Sequence, residues 1–123
     1  MAYVSFEDLE VWRRSCRLAV QAYGLLRDCR DYGLKDQMTR AAVSIPSNVA
    51  EGAERNSTAE FIRFLHIAKG SAAELRTQVY IAQQVDILSK ESQDLLTAEL
   101  KALSSMLHSL IQSLHRKDSK PKT

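Results

Sequence analysis

Arginines offer the most chemistry in this chain of 123 residues. Arg13, Arg14 and Arg17 fall within a single helical turn, and Arg27 follows farther along. A guanidinium presents a planar fork of donors that matches phosphate oxygens, so a face carrying several could hold nucleic acid. Glu10 and Asp28 flank the group, and a solvated, locally neutralised helix face is the other reading. A second cationic set closes the chain, where Arg116, Lys117, Lys120 and Lys122 face only Asp118. The whole sequence has a net charge of +2; its last eight residues carry +3, which leaves residues 1–115 at −1. The basic character therefore belongs to the end of the chain. Such an extension either contacts nucleic acid or keeps the protein in solution.

A different polar set lies where an apolar seam is expected. Asn48, Glu51 and Arg55 recur at i, i+3 and i+7 and share one helix face, and Glu74 stands beside Gly70 and Ser71. Polar groups at a helix seam are costly unless paired, and when paired they fix register. These four are read as a structural polar cluster, with a ligand or partner site as the alternative. Catalytic and metal signatures are missing. The residues three before His66, His108 and His115 are Arg63, Ser105 and Gln112, so the Glu-x-x-His pattern of di-metal bundles does not occur. Zinc-ligand spacing, a glycine-rich phosphate loop and a nucleophile elbow are absent as well. The expectation is a protein that is not an enzyme and holds no metal and no cofactor.

Four segments position these residues. In the first, Leu9, Trp12, Cys16, Ala19, Tyr23 and Leu26 alternate by three and four, and Val11, Ser15, Leu18, Ala22, Leu25 and Cys29 make a second stripe. Ser5 precedes acids at Glu7 and Asp8 and reads as its N-cap. The second segment has a seam through Leu34, Met38, Ala41, Ile45, Asn48 and Gly52, crowded with small residues. Pro46 interrupts it, but the period resumes, which predicts one kinked helix. Ser57-Thr58-Ala59-Glu60 is a capping box that opens the third segment. Its seam runs from Phe61 through Leu65, Ala68, Ala72, Leu75 and Val79 to Ala82. The fourth carries Leu96, Leu100, Leu103, Leu107, Leu110 and Leu114.

Helices over roughly 6–29, 34–54, 58–86 and 90–114, joined by short connections, predict an all-α protein. The expected fold is an antiparallel, up-down-up-down four-helix bundle. The bundle takes residues 1–115, and residues 116–123 form a basic tail expected to be disordered. One apolar stripe per helix suffices for a bundle of this size, whereas the first segment has two. The excess predicts a subunit interface and hence a homo-oligomer. No apolar run approaches the ~20 residues that cross a bilayer, and the opening lacks a secretory pattern, so no membrane association and a cytoplasmic location are expected. Cys16 and Cys29 lie on one predicted helix about 20 Å apart, too far for a disulfide, which suits a reducing compartment.

The run Arg40-Ala41-Ala42-Val43-Ser44-Ile45-Pro46-Ser47-Asn48-Val49-Ala50-Glu51-Gly52, with Arg55 after it, carries a resemblance. Phe61, Phe64-Leu65, Ile67-Ala68, Gly70-Ser71 and Glu74-Leu75 extend it, as does the opening Phe6-Glu7-Asp8-Leu9-Glu10-Val11-Trp12. Over residues 5–114 the chain resembles the bacterial four-helix-bundle proteins encoded in intervening sequences of 23S rRNA genes, sometimes labelled a ribosomal protein S23 family. It is also similar to the accessory variability protein of diversity-generating retroelements. The resemblance implies a cyclic homopentamer with a central channel, no enzymatic activity, and nucleic acid or a protein as partner. Binding of RNA or DNA through Arg13, Arg14, Arg17, Arg116, Lys117, Lys120 and Lys122 is the functional expectation. A protein-interaction scaffold without nucleic acid is the alternative.

Overall fold

The computed structural model describes residues 5–118. A 3-10 turn at Phe6–Asp8 leads into α1 (Glu10–Leu25), α2 (Tyr32–Ala53), α3 (Thr58–Gln84) and α4 (Lys90–Asp118). Each helix packs on its two sequence neighbours and α4 returns to α1, while diagonal pairs do not meet. With short connections this makes an antiparallel up-down bundle, as the four periodic segments predict. Contact is most extensive between α2 and α3 and thinnest between α1 and α4.

Local chemistry sets the boundaries. Ser5 Oγ accepts from the Glu7 N–H at 3.2 Å, and so starts the 3-10 turn instead of α1. Leu9 is extended, with φ −77° and ψ 125°, so the helix expected over 6–29 begins anew at Glu10. It also ends early, since the Arg27 and Cys29 N–H groups turn back to Gly24 and Leu26 three residues away. Gly24 lowers helix stability at that point and the last turn tightens.

Asp31 Oδ1 caps α2 by accepting from the Leu34 N–H at 3.0 Å, which starts the helix two residues before the expected position. Pro46 is buried inside α2, and the helix runs on through it to Ala53. Ser57 Oγ accepts from the Glu60 N–H at 3.2 Å and opens α3. Only half of the capping box forms, because the Glu60 carboxylate accepts from Arg63 Nε at 2.7 Å. Beyond α3, Asp86 takes a φ of 64° and the Ile87 and Leu88 N–H groups return to the Ala82 carbonyl. Asp tolerates the left-handed region better than most residues, so this stop needs no glycine.

α4 continues past its leucine stripe to Asp118, with His115, Arg116 and Lys117 in the last turn. Cations there oppose the negative end of the helix dipole, which favours extension. Arg116 and Lys117 are therefore helical, contrary to the disordered tail expected from residue 116. Lys120 and Lys122 lie outside the described residues.

The core is built from Leu18, Met38, Ile45, Leu65, Leu75 and the α4 leucines Leu96, Leu100, Leu103 and Leu107, all essentially without solvent contact. Of the two α1 stripes, Val11, Ser15, Leu18 and Ala22 turn inward. The other contributes Ala19 and Leu26 to the core, but leaves Trp12 and Cys16 half-buried and Tyr23 exposed on the side next to α2. At the α2/α3 crossing Gly52 is required by space: a Cβ there would stand 2.6 Å from Phe64 Cβ.

Candidate nucleic-acid interface

The arginines of α1 diverge around the helix. Arg14 points toward α4, where its Nε donates to Glu99 Oε2 at 3.0 Å and a terminal nitrogen donates to the other carboxylate oxygen. Its remaining terminal nitrogen lies 3.5 Å from Met106 Sδ and 3.9 Å from Glu10. The pair is 28% exposed on each side, and the Glu99 hydrogen bonds and charge raise the Arg14 pKa further above its ordinary value. A bidentate fork of this kind ties α1 to α4 across their thin contact. Arg14 is thereby removed from the expected phosphate-binding set.

Arg13 and Arg17 face outward. Arg13 reaches the Glu7 carbonyl at 3.4 Å, a long contact on the surface. Arg17 is exposed and borders the groove between α1 and α4, together with Gln21 and Glu99. Arg116 and Lys117 sit at the far end of α4. The structure thus divides the cations into an outer α1 face and an α4 terminus.

The polar set on α2 and α3 also separates. Asn48 Nδ2 donates to the Ser44 carbonyl at 2.8 Å and to Ser44 Oγ at 2.9 Å, and Ser44 Oγ meets Ser71 Oγ at 2.8 Å. This half-buried chain links α2 to α3 through short hydroxyls, which suits the close approach of the two helices. Glu51 and Arg55 pair along α2 at 3.4 Å, outside that chain. Arg55 and Arg63 both lie over the Phe64 ring, 4.9 and 4.7 Å from its centroid. The Arg63 hydrogen bond holds the Glu60 carboxyl below its usual range. Glu74 is exposed in a shallow polar groove with Gln37, Arg40 and Ser44, and stays apart from Asn48.

Sequence reasoning missed Glu99, Ser44 and Phe64. Ser44 was the most accessible of these, since it precedes Asn48 by one helical turn. Glu99 gave no signal, because its partner is 85 positions away.

A third feature is an apolar groove of about 410 Å³ between the outer edges of α1 and α2, where Phe6, Trp12 and Cys16 face Val43, Pro46 and Ala50. Trp12 packs edge-on against Phe6, with centroids 5.2 Å apart and planes at 67°. Val20 at its rim is 73% exposed and Tyr23, one turn beyond Ala19, is 52% exposed. Cys16 and Cys29 are free thiols, and burial pushes the Cys16 thiol up from its ordinary pKa. Among the described residues no three His, Cys, Asp or Glu side chains converge to hold a metal ion. No helix among them is long and apolar enough to cross a membrane.

Packing and surface together define an antiparallel four-helix bundle with a serine-lined polar seam between α2 and α3 and exposed arginines on α1. Comparison with known families makes this specific. The model of the 23S rRNA-intervening sequence protein family matches residues 7–109, and the chain belongs to that family. Among solved structures it is similar to a protein of unknown function from the S23 ribosomal protein family of Bacteroides thetaiotaomicron VPI-5482, with a TM-score of 0.78 and 24% identity. That match covers 82% of this chain and 97% of the other, and it speaks to the fold. No curated protein matches.

Proposed function

We propose that this protein is a non-enzymatic, self-associating helical bundle that binds RNA or DNA through surface arginines. The observation that carries the reading is the distribution of charge on α1. Between Glu10 and Asp28 the helix and the turn after it hold Arg13, Arg14, Arg17 and Arg27 and no acid. Arg14 is turned to Glu99, while Arg13, Arg17 and Arg27 stay exposed. The body of the protein sums to −1, so this face is a local cationic strip on a nearly neutral surface. Repeating it by rotational symmetry would multiply phosphate contacts without a basic body.

Self-association is supported separately by α3, whose outer residues Ile67 and Ile81 and the following Val85 are exposed. Large apolar side chains in that position favour coverage by another copy. Five copies is the number the family resemblance implies. The two unpaired cysteines fit a cytoplasmic setting.

The test is binding to a structured RNA and to duplex DNA at two salt concentrations. Phosphate contacts predict binding at low salt that falls steeply as salt rises. Absence of binding at low salt would overturn the nucleic-acid reading in favour of a protein-interaction scaffold.

A further inference from the structure

We infer that the ridge where α3 meets α4 is a second phosphate-binding surface, on which Lys69, Arg76 and Lys101 take hold of a nucleic-acid backbone. This rests on the nucleic-acid reading above and adds a face to it, on the opposite side of α4 from Arg17. The register of the two helices brings the cations together. Lys69 Nζ lies 3.4 Å from His108 Nδ1, so α3 and α4 meet across their outer seam at this point. The helices are antiparallel. Seven residues on from Lys69 and seven back from His108, Arg76 therefore stands level with Lys101, roughly 10 Å farther along the seam. Lys101 is exposed, while Lys69 and Arg76 are half-buried.

No carboxylate answers these charges. Among the described residues none of Lys69, Arg76 and Lys101 has an ion pair. α4 holds no acid between Glu99 and Asp118, and Glu99 is turned to Arg14 on the α1 side. On α3 the one acid between Glu60 and Asp86 is Glu74, which lines the groove toward α2. Asp94, seven residues before Lys101, is held by Lys90 at 3.3 Å. Cations kept side by side without counterions repel one another in the free protein, and a polyanion relieves that repulsion.

The rest of the ridge selects among polyanions. Ser105 and Ser109 are exposed beside Lys101 and His108, and beyond Leu95 the helix exposes no large apolar side chain among the described residues. Tyr80, one turn past Arg76 on α3, is exposed and ends in a hydroxyl. A protein partner needs an apolar centre to its interface, and a membrane needs apolar side chains to take up. Hydroxyls and unpaired cations are instead the groups that meet phosphate and sugar, and such contacts carry no sequence information.

Fluorescence anisotropy of a labelled DNA duplex and a labelled structured RNA, titrated with the full chain at several salt concentrations, reads these contacts. Lys69→Gln/Arg76→Gln/Lys101→Gln should bind about tenfold or more weakly at low salt, and its log affinity should fall less steeply with log salt, by about 0.7–0.9 for each lost contact. Lys69→Arg/Lys101→Arg, which keeps the charge, should bind like the parent. Circular dichroism will verify that the variants keep the helical content of the parent. Should the triple variant lose helix, Lys101→Gln alone, at an exposed position, should still lower the slope by one contact. Slopes and affinities equal to those of the parent in the neutralised variants would overturn the ridge and leave the α1 arginines as the phosphate contacts. A parent that binds neither probe at low salt would overturn both readings, and one that instead sediments with vesicles of anionic phospholipid would assign the ridge to a membrane surface.

Discussion

Arg14 and Arg17 stand three positions apart on one helix, only about 60° around it, and both lie on the α4 side, yet their partners differ. Arg14 meets Glu99 at the α1/α4 contact, whereas Arg17 remains in solvent. Their types and spacing marked both as cationic surface residues; only the tertiary fold, which brings α4 alongside α1, separates them. Arg14→Ala should therefore lower stability by about 1–2 kcal/mol, because it leaves a partly buried carboxylate without its fork. Arg17→Ala should change stability by less than about 0.5 kcal/mol. Chemical denaturation of both variants and of Glu99→Gln checks this. A double-mutant cycle should show coupling between Arg14 and Glu99 and none between Arg17 and Glu99.

Helices carry their own lessons about legibility. The leucine stripe of α4 and the caps at Asp31 and Ser57 are local signals, and periodicity sufficed to place four helices in order. The break at Leu9 was hidden because the stripe through Leu9 and Trp12 keeps its spacing across a 3-10 turn. The basic end of α4 read as a tail for a related reason: apolar periodicity stops at Leu114, but helix formation there needs only propensity and a favourable dipole. The α2/α3 crossing was visible only as a bias toward small residues. Its consequence is specific, since Gly52→Ala would drive a methyl group into the Phe64 and Phe61 side chains. Overpacking of that kind costs about 1–3 kcal/mol, even though alanine is the better helix former. Thermal unfolding should register a lower midpoint for Gly52→Ala, and a rise would mean that the helices are not in close contact there.

At the scale of the whole molecule, exposed apolar side chains lie on the outer side of α3 and also on α1, where Val20 is 73% and Tyr23 52% exposed. The outer side of α3 and the turn after it expose Ile67, Ile81 and Val85, while the outer edge of α1 carries arginine. The proposed assembly buries the first and leaves the second open. Light scattering should accordingly give a mass several times the 13.9 kDa of one chain. Ile67→Glu together with Ile81→Glu should shift that mass toward the monomer while the helical content stays constant. The proposed interface lies on α3 rather than on the two stripes of α1, of which one packs in the core and the other lines the apolar groove beside α2.

The most direct measurement is the salt dependence of RNA binding in the parent chain and in an Arg13→Gln/Arg17→Gln variant. Both side chains are exposed, so the variant should fold like the parent. If these guanidiniums neutralise phosphates, log affinity will fall linearly with log salt concentration in the parent. The slope for the variant will be shallower by about 0.7 for each lost phosphate contact on a single strand. Identical slopes and affinities in the two proteins would contradict a phosphate-binding face on α1.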